Sequence, residues 1–309
     1  MARFRDDDEK SPEVVEALHE AVDAGSVAAG DRASGSIGDF LAVLRDLKPE
    51  QVERILAYQR DKGVRFGEAA VALGLASRDD VLAALSQQFD YPVATGETQR
   101  LGSELITLTD PFGTRAEHFR SLRSQLMMRV FAGAGPHPAL AVISPDVADG
   151  RSFCVANLAV VLAQLGGRTL LVDADLRGPR QHEIFQLDNR SGLSSILSGR
   201  SDQGAIQPIA AVPSLFVLTA GTTPPNPLEL VERASFGLLM RELTAKFDHV
   251  VIDTPAAAHG ADASVIAARS GAALIVARKD KSRFATLQEL VASFAGTPAQ
   301  LAGVVYNEA

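Results

Sequence analysis

Three aspartates and one polar turn are the residues of this sequence whose types and spacing could do chemistry. The turn, residues 146–152 (DVADGRS), separates a short apolar run from a stretch with the apolar spacing of a helix. Since unpaired N–H groups and the helix dipole meet at a helix N-terminus, such a turn predicts a phosphate site. Asp173, Asp175 and Asp253 end or follow further apolar runs. Carboxylates in such positions could hold a Mg²⁺ ion on those phosphates.

The elements that position these residues follow from the apolar pattern. Residues 140–143, 169–172 and 250–252 predict buried strands, and residues 152–165 predict the helix that follows the turn. Further strands are expected at 215–218, 273–276 and 304–305, and further helices at 111–129, 227–247, 262–269 and 284–294. Short strands alternating with helices predict an α/β fold with a doubly wound, mostly parallel sheet. Ligands bind such sheets at the carboxyl ends of the strands, where all three aspartates fall.

The turn matches only half of the P-loop pattern G-x-x-x-x-G-K-[ST]. Gly150 and Ser152 stand at the last glycine and at the hydroxyl position, but Pro145 replaces the first glycine and Arg151 replaces the lysine. Taken alone, this match favours an ordinary loop. Acidic residues at the ends of two separate strands around the same turn favour the phosphate site.

Three longer segments carry a resemblance to a known family. Residues 170–182 (LLVDADLRGPRQH), 222–231 (TTPPNPLELV) and 250–256 (VVIDTPA) resemble the bacterial tyrosine kinases of exopolysaccharide and capsule synthesis. These are P-loop proteins related to the MinD/ParA ATPases, and the branch that this sequence is most similar to is the EpsG-like chain-length-determinant tyrosine kinase. The likeness covers residues 105–307.

The resemblance implies ATP and Mg²⁺ as cofactors, and it implies a role for individual residues. The phosphates would be bound by Ala148, Asp149, Gly150, Arg151 and Arg177, and Mg²⁺ by Ser152, Asp175 and Asp253. Asp173 would accept the proton of the tyrosine hydroxyl, with Arg151 as the second catalytic residue. Asn307, which follows the last strand, would read the adenine edge.

Residues 117–123 (EHFRSLR) match the family's E-x-x-R-x-x-R oligomerisation motif. The resemblance therefore implies that Glu117, Arg120 and Arg123 join subunits of a homo-oligomeric ring; the alternative is an ordinary solvated helix face. It also implies a membrane chain-length-determinant protein of polysaccharide export as partner. The expected location is cytoplasmic, peripheral at the inner membrane through that partner.

Composition and charge limit the function classes. With 46 % hydrophobic and 22 % charged residues, the 309-residue chain resembles an ordinary globular protein. Residues 1–95 contain 11 Lys and Arg against 18 Asp and Glu, which argues against nucleic acid as a partner. The single cysteine, Cys154, excludes an internal disulfide, and its place in a helix predicts burial. No apolar run has the length of a membrane span.

The chain before the P-loop part divides into three regions. Residues 1–30 are expected to form a mobile N-terminal arm, residues 31–95 a small helical tandem-repeat domain, and residues 96–110 a linker to the nucleotide-binding domain at 111–309. The repeat has an offset of 29 residues. Each copy reads as a short helix, a turn and a second, capped helix.

The repeats resemble the N-terminal domain of type II secretion and pilus ATPases, some of which bind cyclic di-GMP. The second copy keeps Arg65, Gly67 and Gly74, and an arginine and a glycine are what a nucleotide would need. The first copy has Ser36 where the arginine should be and Arg45 where the glycine should be. A small helical docking domain without a ligand is the alternative, and the missing half of the motif favours it.

Three functions remain open from the sequence. The chain could be a tyrosine kinase of polysaccharide export, an ATP-binding switch that transfers no phosphate, or a receptor that senses cyclic di-GMP through residues 36–88. The family's tyrosine-rich tail has no counterpart, since the tyrosines are Tyr58, Tyr91 and Tyr306. Tyr306 adjoins an apolar strand, and we expect it to be buried.

Overall fold

The computed structural model of the protein describes residues 36–89, 102–133, 135–200 and 204–308. The expected arm at residues 1–30, the first part of the expected linker and Tyr91 lie outside these ranges. The described residues fall into two compact units, one before the linker and one from Gly102 onwards.

The larger unit alternates helices and strands from residue 102 to residue 308. Its elements are α5 (Ile106–Thr109), α6 (Thr114–Arg129), β1 (Ala139–Ile143), α7 (Arg151–Ala163), β2 (Thr169–Asp173), α8 (Gln181–Ile184), α9 (Leu193–Leu197), β3 (Ile206–Pro208), β4 (Leu215–Leu218), α10 (Pro227–Glu232), α11 (Ala234–Lys246), β5 (His249–Asp253), a 3₁₀ turn (Ala257–His259), α12 (Asp262–Ser270), β6 (Gly271–Arg278), α13 (Phe284–Ser293) and β7 (Gln300–Asn307). The helices α1 to α4 belong to the smaller unit.

The seven strands form one sheet in the order β3-β4-β2-β5-β1-β6-β7. All neighbours are parallel except β3, which runs antiparallel to β4 at one edge. Strands β1, β2 and β5 lie side by side in the centre and are buried along their whole length. Because they are parallel, their carboxyl ends meet at the same edge of the sheet, which confirms the expected doubly wound fold.

Apolar side chains alternate between the two faces of the sheet. On one face Ala139, Ala141 and Ile143 of β1 pack into the core cluster that also contains residues of α11, α12 and α13. Helix α7 is almost entirely buried and contacts β1, β2 and β5, yet none of its residues belongs to that cluster. It therefore covers the opposite face and holds the turn that precedes it over the carboxyl ends of the central strands.

Four expectations about this unit need correction. Residues 102–110 pack into the larger unit, with Leu105 and Leu108 fully buried, so they do not belong to the expected linker. The helix expected at 227–247 is two helices, because Arg233 is extended (φ −62°, ψ 151°). Strand β3 was missed altogether. Strands β6 and β7 are each eight residues long, longer than the apolar runs indicated.

The smaller unit contains four helices, α1 (Ile37–Arg45), α2 (Pro49–Lys62), α3 (Phe66–Ala72) and α4 (Arg78–Phe89), which match the expected pair of helices per repeat. Leu41, Ile55 and Ala70 are fully buried in its core. The second helix of the second repeat is capped as expected, at Ser77: Asp80 N donates to Ser77 Oγ at 3.1 Å and Ser77 N donates to the Asp80 carboxylate at 2.7 Å. Over the described ranges, no helix has both the length and the apolar character needed to cross a membrane.

Candidate nucleotide site

The predicted turn lies where β1 ends and α7 begins, and its backbone is tightly specified. Gly150 has φ +91°, and a Cβ atom there would overlap the side chain of Asn307. Ala148 also has a positive φ of 59°, which L-residues rarely adopt. Asp149 is buried, and one of its carboxylate oxygens accepts the N–H of Asp146 at 3.0 Å. The turn therefore closes on itself without the first glycine of the P-loop pattern.

Three consecutive carbonyl oxygens of the turn are held from outside by side chains that follow β6 or end β6 and β7. The bonds are Lys281 Nζ to Val147 O at 2.8 Å, Arg278 Nη1 to Ala148 O at 3.0 Å and Asn307 Nδ2 to Asp149 O at 3.0 Å. Arg278 and Lys281 are not evident as site residues from the sequence, because only the pairing of β6 and β7 beside β1 brings them to the turn. Asn307, which was expected to read the adenine edge, fixes the turn through its side-chain amide.

The guanidinium of Arg151 lies inside the site and joins the two acidic strand ends. Its Nη2 donates to Asp175 at 2.9 Å, its Nε to Asp253 at 3.3 Å, and its Nη1 to the Ser144 hydroxyl at 2.7 Å. The Arg151 side chain is only 9 % exposed. Arg151 is therefore a counter-charge of the two aspartates that were expected to bind Mg²⁺.

Asp253 is fully buried beside this pair. Its second oxygen accepts Nε2 of Gln181 at 2.7 Å, and the Ser152 side chain also hydrogen-bonds to it. Burial raises the pKa of Asp253, while Arg151 and these two donors oppose the rise. Gln181 was not anticipated, although its position eight residues after Asp173 places it at the same strand edge.

Asp173 lies deeper than the proposed base of a phosphoryl transfer would be expected to lie. It is fully buried, does not line the cavity, and accepts the backbone N–H groups of Asp175, Arg180 and Gln181 at 3.0–3.2 Å. Burial raises its pKa well above the usual range, and the neighbouring Asp253 adds to the rise. In this conformation Asp173 shapes the loop that carries Asp175 and Arg177.

An open cavity of about 530 Å³ lies over the turn and the N-terminus of α7. Its charged lining contains more cations than anions. The cations are Arg115, Arg151, Arg177, Arg180 and Arg278, and the anions are Glu104 and Asp175. Arg177 is anchored by a two-point contact with Asp262 (3.0 and 3.2 Å), and Arg180 donates to Glu104 at 2.7 Å. A cavity of this size and sign suits a phosphorylated ligand.

The segment before α6 is hydrogen-bonded to α7, the helix whose N-terminus forms part of the site. Asn157 of α7 is fully buried; its Oδ1 accepts the N–H and the hydroxyl of Thr107 at 3.1 and 3.0 Å, and its Nδ2 donates to the Glu104 carbonyl at 2.8 Å. Glu104, a lining residue, is thus fixed by α7 itself. This segment lies within the expected linker at residues 96–110, so its contribution to the site was not anticipated.

The expected ligands of Mg²⁺ suit that ion chemically. The Ser152 hydroxyl and the carboxylates of Asp175 and Asp253 are hard oxygen donors at one strand edge. Among the described residues, no group of three or more His, Cys, Asp and Glu could hold a metal by itself. Mg²⁺ bound in proteins takes part of its coordination from phosphates, so a set of one hydroxyl and two carboxylates fits a nucleotide-bound ion.

The three residues of the expected oligomerisation motif lie on α6 and make contacts within their own chain. Arg120 donates to Glu117 at 2.8 Å and to the Pro111 carbonyl. Arg123 donates to the Val161 carbonyl in the last turn of α7 at 2.8 Å. Glu117 is exposed, with 64 % of its side chain accessible. The role of these residues in a ring stays a prediction.

Two expectations about single side chains have opposite outcomes. Cys154 is buried as predicted, and burial raises the pKa of its thiol to about 12. Tyr306, expected to be buried, is 59 % exposed. Its strand, β7, is the edge of the sheet, and none of its side chains is fully covered, in contrast to the central strands. The described part of the chain therefore contains an exposed tyrosine near its carboxyl end.

In the smaller unit, the residues expected to recognise cyclic di-GMP have structural explanations. A Cβ atom at Gly67 would come within 2.6 Å of Val81, so this glycine allows α3 and α4 to pack closely. Arg65 lies at the N-cap position of α3, where its N–H donates to Glu68. Neither observation requires a ligand.

A parallel sheet with a polar turn, a helix N-terminus and carboxylates at one strand edge defines a P-loop-type α/β protein. Among known proteins, the chain is 35 % identical to CapB of Staphylococcus aureus over 207 residues, which are 67 % of this chain and 90 % of CapB. It is 31 % identical to the tyrosine-protein kinase Wzc of Salmonella typhimurium over 205 residues, 66 % of this chain but 28 % of Wzc. No protein-family model matches the chain.

Solved structures agree with these relatives. The chimerical protein CapA2B2 superposes with a TM-score of 0.61 at 32 % identity, covering 73 % of this chain and 97 % of the other. The kinase domain of the Escherichia coli tyrosine kinase ETK gives a TM-score of 0.61 at 28 % identity, covering 66 % and 79 %. The chain belongs to the family of bacterial tyrosine-protein kinases, as the resemblance of its sequence predicted.

Proposed function

We propose that this protein is an ATP- and Mg²⁺-dependent protein-tyrosine kinase that acts in polysaccharide export. The observation that carries the proposal is the cationic cavity over the N-terminus of α7, with Ser152 and Asp175 in its lining. The buried Asp253 lies next to them, bonded to the same Arg151 as Asp175. Phosphoryl transfer needs a neutralised polyphosphate and an aligned acceptor hydroxyl, so position and charge are what the protein has to supply.

The turn and the arginines around it would bind the polyphosphate. Backbone N–H groups at Ala148, Asp149 and Gly150 precede α7, whose dipole favours negative charge there. Arg151 and Arg177, which both line the cavity, add positive charge. Asn307, which lines the cavity beside the turn, is the residue we assign to the adenine edge.

The metal-binding residues in this proposal are Ser152, Asp175 and Asp253. Bound Mg²⁺ would supply charge neutralisation of the polyphosphate. Replacing Asp175 or Asp253 by Asn removes a metal ligand with little change in shape, so ATP affinity in the presence of Mg²⁺ should fall by about tenfold or more. Titration with a fluorescent ATP analogue measures this. Unchanged affinity in both variants would remove the site assignment.

Tyr306 is the acceptor that we propose for transfer between copies of the chain. It is an exposed residue on an edge strand, whereas Tyr58 is partly buried. After incubation with ATP and Mg²⁺, a phosphotyrosine blot should give a signal that Tyr306→Phe reduces and Tyr58→Phe leaves intact. A signal of equal strength in Tyr306→Phe would show that another tyrosine is the acceptor.

The position of Asp173 favours a second candidate, an ATP-binding switch that transfers no phosphate. Asp173 is fully buried and engaged by three backbone N–H groups, so the proposed base does not face the cavity. A Glu–Tyr copolymer offered as acceptor separates the two functions, because it does not depend on Tyr306. Incorporation of phosphate, lost in Asp253→Asn, supports the kinase; tight ATP binding without incorporation supports the switch.

A partner at the inner membrane completes the proposed function. We assign the protein a membrane chain-length-determinant protein as partner, a cytoplasmic location at that membrane, and a ring of copies joined through Glu117, Arg120 and Arg123. Relatives named CapB, and one described by its place in a cps region, support the link with surface polysaccharide. Cyclic di-GMP stays a lesser candidate for residues 36–88, and calorimetry with the full chain tests it.

A further inference from the structure

The feature that leads beyond the proposed function is the ion-pair network around Arg151. One guanidinium lies between Asp175 and Asp253, with N–O distances of 2.9 and 3.3 Å. All three side chains are less than 10 % exposed. Charges this deeply buried interact strongly because little water screens them. The guanidinium therefore offsets the free-energy cost of burying the two carboxylates.

The same two carboxylates are the proposed ligands of Mg²⁺. The Asp175 oxygen at 2.9 Å and the Asp253 oxygen at 3.3 Å from Arg151 are occupied by N–H donors, and Gln181 occupies the other Asp253 oxygen at 2.7 Å. A metal ion between the two aspartates would lie next to a fixed positive charge. The repulsion would disfavour metal binding as long as Arg151 stays in place.

A polyphosphate offers the guanidinium another partner. Arg151 is the first residue of α7 and lines the cavity, so a side-chain rotation towards the turn would bring its donors to a phosphate bound there. Guanidinium groups bind phosphate in a two-point manner as well as they bind carboxylate. If Arg151 moved without a replacement cation, Asp175 and Asp253 would face both each other and the polyphosphate without neutralisation.

We infer that Arg151 and the metal ion are alternative counter-ions of Asp175 and Asp253, so that Arg151 makes the site specific for a metal-complexed polyphosphate over either component alone. Arg151 is a specificity-determining residue in this scheme. Without nucleotide its guanidinium disfavours metal binding by repulsion. With nucleotide the guanidinium would bind the phosphates, which would leave Asp175 and Asp253 to hold the metal ion. The inference rests on the proposed function, since it concerns the same nucleotide site.

The first test uses Mn²⁺ as the probe and the full chain without nucleotide, with free Mn²⁺ followed by electron paramagnetic resonance. Arg151→Gln leaves the two carboxylates without a cation, so its Mn²⁺ affinity should exceed that of the wild type by about tenfold or more. Arg180→Gln is the matched control, because Arg180 lines the same cavity but pairs with Glu104. It should bind Mn²⁺ as weakly as the wild type. Equal affinity in wild type and Arg151→Gln would overturn the inference.

The second test needs no change at Arg151 and so holds even where Arg151→Gln does not fold. The ratio of nucleotide affinities in Mg²⁺ and in EDTA is measured for wild type and for Asp253→Asn. In the wild type, nucleotide should bind about tenfold or more tightly in Mg²⁺ than in EDTA. In Asp253→Asn this ratio should be smaller, because less negative charge is left without a counter-ion when Arg151 moves to the phosphates. An unchanged ratio contradicts the exchange.

The two proposals fail in different ways. Absence of nucleotide binding to the wild type under any condition would overturn the proposed function, and the Mn²⁺ titration would still decide whether Arg151 excludes the metal. Nucleotide binding that is equally tight with Mg²⁺ and with EDTA would leave a nucleotide site in place but overturn the exchange.

Discussion

The carboxamide of Asn307 occupies the space that a side chain at Gly150 would need. Asn307 ends β7 and Gly150 precedes α7, so this contact joins the last strand of the sheet to the turn after the first. The amide is held there by its bond to the Asp149 carbonyl at 3.0 Å. The turn is thus fixed by tertiary contacts as well as by its own backbone.

This contact predicts that Gly150→Ala is more damaging than its backbone conformation alone explains. Gly166 is the matched control: its φ is +90° against +91° at Gly150, and nothing lies within 4 Å of a Cβ atom there. Gly166→Ala should cost about 1 kcal/mol of unfolding free energy from the positive φ. Gly150→Ala should cost that amount and also displace Asn307, and so abolish nucleotide binding. Urea unfolding and nucleotide titration measure the two effects; equal losses in both variants would show that the contact is unimportant.

The carbonyl contacts of the turn predict a positioning role for Arg278 and Lys281. Replacing both by Ala frees the carbonyls of Val147 and Ala148, and nucleotide affinity should fall about tenfold. Lys279→Ala is the control, because Lys279 is a neighbouring cation whose ammonium group pairs with Glu308 instead of a carbonyl of the turn. Hydrogen exchange of the amides at 147–150, measured without nucleotide, should become faster only in the double variant. Unchanged exchange with reduced affinity would point to a loss of charge instead of a loss of position.

The contacts of α6 predict that Arg123 stabilises the fold of its own chain, whereas Glu117 is available for an interface between chains. Arg123→Ala removes the donor to the Val161 carbonyl and should lower the free energy of unfolding by about 1 kcal/mol. Glu117→Ala changes an exposed side chain and should leave the unfolding midpoint unaltered. If the proposed ring exists, Glu117→Ala should nevertheless give a smaller species in light scattering. Equal masses for the two forms at the same concentration would argue against the interface.

His249 predicts a loss of stability in mild acid. It is buried at the start of β5, its ring meets Phe131 edge to face at 5.0 Å, and burial lowers its pKa below the ordinary 6.5. Below pH 6.5 the unfolded chain takes up a proton that the folded chain resists. Stability is therefore complete above pH 6.5 and falls as the pH drops towards the folded pKa.

Urea unfolding at several pH values between 5 and 8 measures this slope. His249→Leu should flatten it, whereas His118→Gln, at an exposed position of α6, should not. A slope of the same size in His249→Leu and in the wild type would assign the acid sensitivity to other groups.

Local patterns were sufficient for much of the fold and for the location of the site. The apolar runs that became β1, β2 and β5, and the helical spacing that became α7, are each read from residues close together in sequence. The rule that parallel strands end at one edge then brings Asp173, Asp175 and Asp253 to the turn. The break at Arg233 and the short strand β3 were missed, because neither interrupts or creates a clear apolar period.

The chain itself determined which elements form and which residues meet at the strand edge, because those properties depend on near neighbours. Only the tertiary structure decided which groups of the site hydrogen-bond to one another. Arg151 bonds to carboxylates 24 and 102 residues away, and Asn307 bonds to a carbonyl 158 residues away. These partners follow from the strand order, in which β5 lies between β1 and β2 while β7 takes the edge. The same order leaves Tyr306 exposed, since an apolar strand buries its side chains only where another layer covers them.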